Sequence, residues 1–233
     1  MKQLWECLSS VIPDDHSHQM TAPAVLKERV RKGFNPSKIL DFGCGNGRSI
    51  DLFSQLLPAA EWIGVDIQDS PEVTSRVRAD GTFVTYDGEH LPFPNRNFDL
   101  IYSYQVLEHV RKIEPILQEI SRVLKPEGLF IGQTSQFEPY HSYSLWNFTV
   151  YGFKKIMEDA GFTLLDLRPG IDGFTLMRRS YENRSPYFNQ YFSNESPVNQ
   201  EIELAEASKS IKQKNFRKLV FCGQFVFVAA LKS

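Results

Sequence analysis

The sequence predicts an α/β fold in which a mostly parallel sheet is covered by helices on both faces. Three observations predict it. Short apolar runs of strand length alternate with stretches of helical periodicity. A glycine-dense turn, Gly43-Cys44-Gly45-Asn46-Gly47, follows the first apolar run and precedes a helical pattern. Acidic residues recur at or beside the ends of the first three runs, as Asp41, Asp66 and Asp87. Carboxyl ends of consecutive parallel strands are where such sheets bind ligands.

Residues 1–37 read as one or two helices ahead of the first strand, an N-terminal helical lid. The strand candidates are Lys38–Phe42, Glu61–Asp66, Thr82–Asp87, Phe98–Tyr104, Gly128–Thr134, Phe162–Arg168 and Leu219–Leu231. Between them, Ile113, Ile116, Leu117, Ile120 and Leu124 form one stripe of a helix that Pro126 and Gly128 stop. Phe153, Ile156, Met157 and Ala160 form another, ended by Gly161. The span 169–218 is too long for a plain connection and reads as an insert or cap. Within it Ser196 is the expected N-cap and Pro197 the first residue of a helix. Lys209, Lys212 and Lys214 suit that helix's C-terminus. The whole chain, 1–233, is expected to be a single domain: lid 1–37, core 38–168, insert 169–218 and final strand 219–233.

Composition narrows the function classes. The chain has 233 residues, 26 basic and 28 acidic, for a net charge of −2. A nucleic-acid binder usually carries a basic surplus, so no nucleic-acid partner is expected. Cys7, Cys44 and Cys222 are too few and scattered for a disulfide framework or zinc motif, which fits a reducing compartment. The N-terminus lacks the apolar core of a signal peptide, and Leu219–Leu231 is too short to span a bilayer as a helix. A cytoplasmic protein without a membrane span is the expectation.

The glycine turn does not follow the dinucleotide spacing, because Arg48 stands where the third glycine of G-x-G-x-x-G belongs. Nor is it flanked as a phosphate site would be, since carboxylates lie on both sides of it. The stretch DFGCGNG, then VD, then YDGEHLPFPNRNFDLIYSYQVLEHV, then ISRVLKPEGLFI resembles the class I S-adenosylmethionine-dependent methyltransferases, over about residues 36–168. Within that class it is similar to the small-molecule branch that holds the UbiE-like and sugar methyltransferases. The resemblance implies a Rossmann-like, seven-stranded, mostly parallel sheet whose last strand is antiparallel. It also implies S-adenosylmethionine as cofactor.

The residues agree with that cofactor, which carries a sulfonium and an ammonium but no phosphate. Asp41 is placed to orient the loop and the methionine ammonium. Gly43, Gly45 and Gly47, with Cys44 between them, let the backbone approach closely. Asp66, followed by Ile67, can accept both ribose hydroxyls. Asp87, with Gly88 and Glu89, can accept from the adenine amino group. Ser103 and Tyr104 border the methyl donor.

Methyl transfer to an alcohol profits from a general base. His109, in LEHV, and His141, in EPYHSYSLWNF, are the candidates. A helix-start residue that packs locally accounts for His109 equally well, and a surface-loop histidine for His141. Gln105, Tyr140, Tyr143 and Trp146 are expected to line the acceptor side. His16 and His18 lack a third ligand at a diagnostic spacing, and no D-x-x-D-N cluster is present, so a metal-independent enzyme is expected. Lys209–Lys218 holds five basic residues in ten. It reads either as a solvated helix end or, with Arg178 and Arg179, as a site for an anionic acceptor. The expected activity is methyl transfer to a hydroxyl of a sugar, polysaccharide precursor or secondary metabolite. The alternatives are an N- or C-methyltransferase and a non-catalytic S-adenosylmethionine-fold binding module. IYSYQV stands where amide and nucleobase methylating enzymes usually carry Asn-Pro-Pro-Tyr.

Overall fold

A computed structural model describes residues 1–232. Seven strands form one sheet: β1 (Lys38–Phe42), β2 (Glu61–Ile67), β3 (Thr82–Tyr86), β4 (Phe98–Tyr104), β5 (Leu124–Ser135), β6 (Phe162–Pro169) and β7 (Gln224–Leu231). Their order is β3-β2-β1-β4-β5-β7-β6. Six strands run one way, and β7 lies antiparallel between β5 and β6. This is the expected Rossmann-like arrangement. The chain reverses strand order beside β1, so the turn after β1 sits at the crevice such sheets use for ligands.

Both faces of the sheet are covered. On one, Leu40, Phe42, Ile101, Phe130 and Phe227 meet the helices α1 (Lys2–Leu8), α5 (Ile113–Val123), α6 (Val150–Asp159) and α9 (Ile211–Phe221). On the other, Ile39, Leu100, Ile131 and Val228 meet α2 (Ala22–Arg31) and α3 (Ser49–Leu56). Period-two alternation along each strand sends neighbouring residues to opposite faces. In α5 the expected stripe is buried at Ile116, Leu117 and Ile120, joined by Val123, whereas Leu124, expected in the helix, opens β5.

Phe153 of α6 is fully buried, with its ring centroid 4.7 Å from Phe227 and 5.2 Å from Phe225. Removing it leaves a cavity where α6 meets the antiparallel edge of the sheet. Phe153→Ala is expected to cost about 3–5 kcal/mol, read as a lower midpoint in urea denaturation with an unchanged slope.

The N-terminal segment is built into the layers rather than laid over them. Leu8 and Val11 enter the first core, and Val25 and Leu26 the second. Arg168, almost fully buried on β6, ties the intervening segment down through two hydrogen bonds to Asp15, each 2.9 Å.

The insert contains α7 (Gly173–Tyr181), a 3-10 segment (Pro186–Phe192), α8 (Pro197–Ala205) and α9. Two expectations are corrected here. First, Leu219–Phe221 is helical, and the final strand begins only at Gln224. Phe216 and Leu219, one turn apart, bury the α9 stripe, and Gly223 separates the helix from the strand. Second, one helix was expected from Ser196 through the late lysines, but α8 stops at Ala205. Ser210 starts α9 with a capping box to Gln213, so Lys212 and Lys214 lie in its first turn. Ser196 does precede α8, but its hydroxyl accepts from the Asp172 amide and donates to Gln19 rather than capping α8.

Candidate active site

The glycine turn hangs from the carboxyl end of β1. Gly43, Gly45 and Gly47 all adopt positive φ, which explains why side chains are missing there. A Cβ on Gly43 would fall 2.3 Å from the Val106 side chain, so this glycine is also required for packing. Gly43 and Cys44 donate their amides to the Val65 carbonyl, at 2.8 and 3.2 Å, which locks the turn onto β2. Asp41 lies beneath the turn, 4% exposed, with the Ser49 hydroxyl as its hydrogen-bond donor. Burial pushes its pKa up to about 7, against the pull of Ser49.

Asp66, at the end of β2, reaches back to the turn. One carboxylate oxygen accepts the Gly45 amide at 2.7 Å, and the other accepts the Ile67 amide at 2.8 Å. Both oxygens expected to hold ribose hydroxyls therefore brace the loop in this conformation. Asp87 is likewise turned to its own loop, where it accepts from the Glu89 and His90 amides at 2.8 and 2.7 Å. These bonds, with the His90 ring beside them, hold its pKa down to about 2. Gly88 sits at φ +87 next to it, and a Cβ there would meet only Ile67, at 3.9 Å. Glu89 pairs with Lys112. Sequence reasoning missed Arg76, whose guanidinium donates to the Gly45 carbonyl at 2.8 Å and stacks over Phe83. Nothing in the spacing of that loop marks it.

The residues expected beside the methyl donor, Ser103 and Tyr104, and those expected on the acceptor side gather at the carboxyl ends of β4 and β5. Ser103 is fully buried, and its hydroxyl lacks a hydrogen-bond partner. Tyr104 is partly exposed beside it. Gln105 adopts φ +56, a left-handed conformation rare for a residue with a side chain. Its side-chain oxygen accepts from Gln224 at 3.1 Å. Gln224 in turn bridges Gln133 and Glu138, at 2.7 Å each. This polar floor was missed because its members come from β5, β7 and the loop after β5.

A 3-10 turn, Leu107–His109, follows β4. It presents His109 edge-on to His141, with ring centroids 5.2 Å apart. The two candidate bases are thus neighbours. Glu108 between them is fully buried. It accepts from Thr134 at 2.9 Å, and its other oxygen lies 3.7 Å from His141 Nε2. Glu108, and Glu138 on the far side, raise the pKa of His141 above the ordinary histidine value, although burial opposes them. Tyr140 and Tyr143 are largely exposed. Trp146 anchors its loop by donating its ring N–H to the Val110 carbonyl at 2.8 Å.

The anionic-acceptor reading of the late basic residues is corrected. Lys218 is fully buried and pairs with Glu195 and Glu203, at 3.0 and 2.8 Å. Lys214 pairs with Glu203, Arg217 with Glu206 and Arg178 with Glu182. Arg179 stacks on Phe192. These charges hold the insert together. A cavity of about 580 Å³ is lined by Phe34, Asp99 and Lys125. It lies at the amino ends of the strands, away from the glycine turn, and its Asp99 is already engaged by Ser37 and Lys125.

Comparison with known proteins agrees with this geometry. Residues 40–132 match the family described as a methyltransferase domain. A probable S-adenosylmethionine-dependent methyltransferase of Mycolicibacterium smegmatis is 26% identical over 140 residues, 55% of this chain and 52% of that protein. A ubiquinone biosynthesis O-methyltransferase of Bartonella tribocorum is 26% identical over 157 residues, 61% of each chain. The chain thus spans about half the length of the first of these relatives and somewhat more of the second. Among solved structures, a Burkholderia thailandensis 1,6-didemethyltoxoflavin-N1-methyltransferase, with S-adenosylhomocysteine bound, superposes with a TM-score of 0.55 at 19% identity. That match covers 91% of this chain and 77% of that one, and it shows the fold. The glycine turn and the acidic strand ends meet at the crevice beside β1. Residues 40–132 carry a methyltransferase domain, on a fold shared with S-adenosylmethionine-dependent methyltransferases.

The residues fit that cofactor. A bare turn permits close backbone approach, and a buried carboxylate partnered only by a hydroxyl suits an ammonium. Asp41 also predicts a pH dependence. Below about 7 it is neutral in the free protein, and above about 7 it is charged. A cationic ligand prefers the charged form, so cofactor affinity is expected to rise with pH through this value and fall below it. Titration calorimetry in buffers of different ionisation enthalpy near pH 6.5 should show proton release on binding S-adenosylhomocysteine. Asp41→Asn, which resembles the neutral acid in shape, should abolish that release. Unchanged release in the variant would assign the proton elsewhere. The sign for stability is opposite. The free fold favours the neutral acid, so this group's contribution is present at acid pH and lost as pH rises toward about 7.

Proposed function

We propose that the protein transfers the methyl group of S-adenosylmethionine to a hydroxyl of a small-molecule acceptor, such as a sugar, polysaccharide precursor or secondary metabolite. The observation that carries this reading is the meeting of His109 and His141 over the buried Glu108, on the acceptor side of the glycine turn. The cofactor supplies an electrophilic methyl group. The Gly43–Gly47 turn and Asp41 hold its methionine end. Asp66 and Asp87 turn from their loop amides to its ribose and adenine. Ser103 and Tyr104 border the transfer path. Gln105, Tyr140, Tyr143 and Trp146 orient the acceptor. His141 takes the hydroxyl proton on Nε2, with the Glu108 carboxylate behind it to stabilise the imidazolium that forms. The chain's net charge of −2 disfavours a nucleic-acid acceptor. No helix among the described residues is long and apolar enough to cross a membrane. The Bartonella relative, named as an O-methyltransferase, favours oxygen as the acceptor atom.

The test is calorimetry with S-adenosylmethionine and S-adenosylhomocysteine, followed by mass spectrometry of cell extract incubated with protein and methyl-labelled cofactor. A folded sample that binds neither compound would sink the enzyme reading. Labelled product bearing the methyl on nitrogen or carbon would keep the transferase and discard the hydroxyl.

A further inference from the structure

We propose that Glu108, His109 and His141 form a binding site for one divalent transition-metal ion, and that its occupancy switches methyl transfer off. One ligating atom from each residue lies within 4.8 Å of the others. Metal–ligand bonds of about 2.0–2.2 Å place neighbouring donors roughly 3–3.5 Å apart, so modest side-chain rotation closes the set. His141 Nε2 and the nearer Glu108 oxygen are already 3.7 Å apart.

Two further features separate this trio from a chance cluster. His109 Nδ1 and His141 Nε2 are both buried without a hydrogen-bond partner, one nitrogen from each ring. Burying an unsatisfied polar atom costs about 1–3 kcal/mol, and a shared ion would satisfy both. The trio also has outer partners that fix its donors. Thr134 and Ser135 donate to Glu108, at 2.9 and 3.3 Å. His141 Nδ1 faces the Pro139 carbonyl at 3.4 Å, with a Glu138 oxygen at 3.8 Å. A proton on Nδ1 leaves the Nε2 lone pair for a metal, the pattern of carboxylate- or carbonyl-backed histidine ligands.

The donors select the ion. Two imidazoles and one carboxylate suit zinc, cobalt or ferrous iron, whereas magnesium and calcium prefer all-oxygen sets. The other comparable cluster, Asp15, His16 and Glu28, is already served by a cation. The Arg168 guanidinium donates to Asp15 at 2.9 Å and lies 3.3 Å from His16 Nε2. The expectation of a metal-independent enzyme rests on His16, His18 and the missing D-x-x-D-N cluster, and His141 lies far along the chain from LEHV.

The consequence for catalysis rests on the proposed function. A metal bond uses the same Nε2 lone pair that would accept the acceptor's proton, so the residue cannot be ligand and base at once. Binding to an imidazolium first releases its Nε2 proton to solvent, and none of the residues assigned to the cofactor is a ligand.

The test uses the full chain, stripped with chelator. Cobalt(II) is titrated and followed by visible absorption, and zinc by calorimetry. One ion per chain is expected, with magnesium showing none. His109→Ala and His141→Ala, each checked for folding by circular dichroism, should bind at least about 100-fold more weakly, since losing even an outer partner typically costs 10–100-fold. His16→Ala should bind as the unaltered protein does. Absence of stoichiometric cobalt and zinc binding, or binding that survives in both site variants, overturns the site. Zinc-loaded protein should lose about 100-fold or more in turnover while S-adenosylhomocysteine affinity stays unchanged. Stoichiometric zinc with turnover intact would uphold the site while overturning both the switch and His141 as the base.

Discussion

Gly45→Val is expected to abolish binding of S-adenosylmethionine and S-adenosylhomocysteine while leaving the fold in place. Gly45 sits at φ +50, a conformation that a β-branched residue adopts only under strain. A Cβ there would stand 3.1 Å from Glu72 in the short helix that follows β2 (Pro71–Thr74), so the larger valine would crowd the turn. The Gly45 amide also anchors Asp66, at 2.7 Å. Moving it would disturb the carboxylate proposed for the ribose as well as the backbone approach. Gly43 is a poorer probe. Its Cβ would strike Val106, a partly buried side chain against the core, and lost binding there would not be separable from lost packing. Calorimetry on Gly45→Val with an unchanged thermal midpoint decides the matter. Normal affinity would show that the turn is not the cofactor cradle.

Much of this architecture was legible because it is written in local signals. A bare turn needs glycine where φ is positive, and all three glycines of the motif are positive. Strand candidates from Lys38 to Arg168 were found because apolar runs of strand length are bounded by turn residues. The insert was less legible for a physical reason. Val220 and Phe221 favour strands by composition, but Leu219 and Phe216 pack as one helical stripe, and periodicity cannot separate the two in so short a run. Lys214, Arg217 and Lys218 looked like part of a surface because their partners, Glu195, Glu203 and Glu206, lie earlier in the chain. The site shows the same divide. Asp41, Asp66 and the glycines are read from one motif, whereas the contacts of Glu108 with His141, and of Gln224 with Glu138, exist only after β4, β5 and β7 pair. Local reading also could not foresee that Asp66 and Asp87 would spend their lone pairs on loop amides.

His141→Ala is expected to lower turnover by about 10²–10⁴-fold while cofactor affinity barely changes. The imidazole lies against Glu108, Glu138 and His109, and none of the residues assigned to adenine, ribose or methionine touches it. Its loss removes a proton acceptor and no part of the cradle. His109→Ala separates the two candidates. His109 sits on the 3-10 turn directly after β4, and its amide bonds the Val106 carbonyl at 2.8 Å. That backbone contact survives the substitution, so the turn should hold. His109→Ala should then reduce turnover less than His141→Ala, because the Glu108 oxygen that stabilises an imidazolium lies 3.7 Å from His141. The decisive comparison is single-turnover methyl transfer by both variants at saturating cofactor, with S-adenosylhomocysteine affinity measured beside it. A larger loss in His109→Ala would move the base to the 3-10 turn. Near-normal rates in both would mean that no histidine removes the proton. The acceptor would then be a nucleophile that needs only alignment with the sulfonium, and oxygen would give way to nitrogen or carbon as the methylated atom.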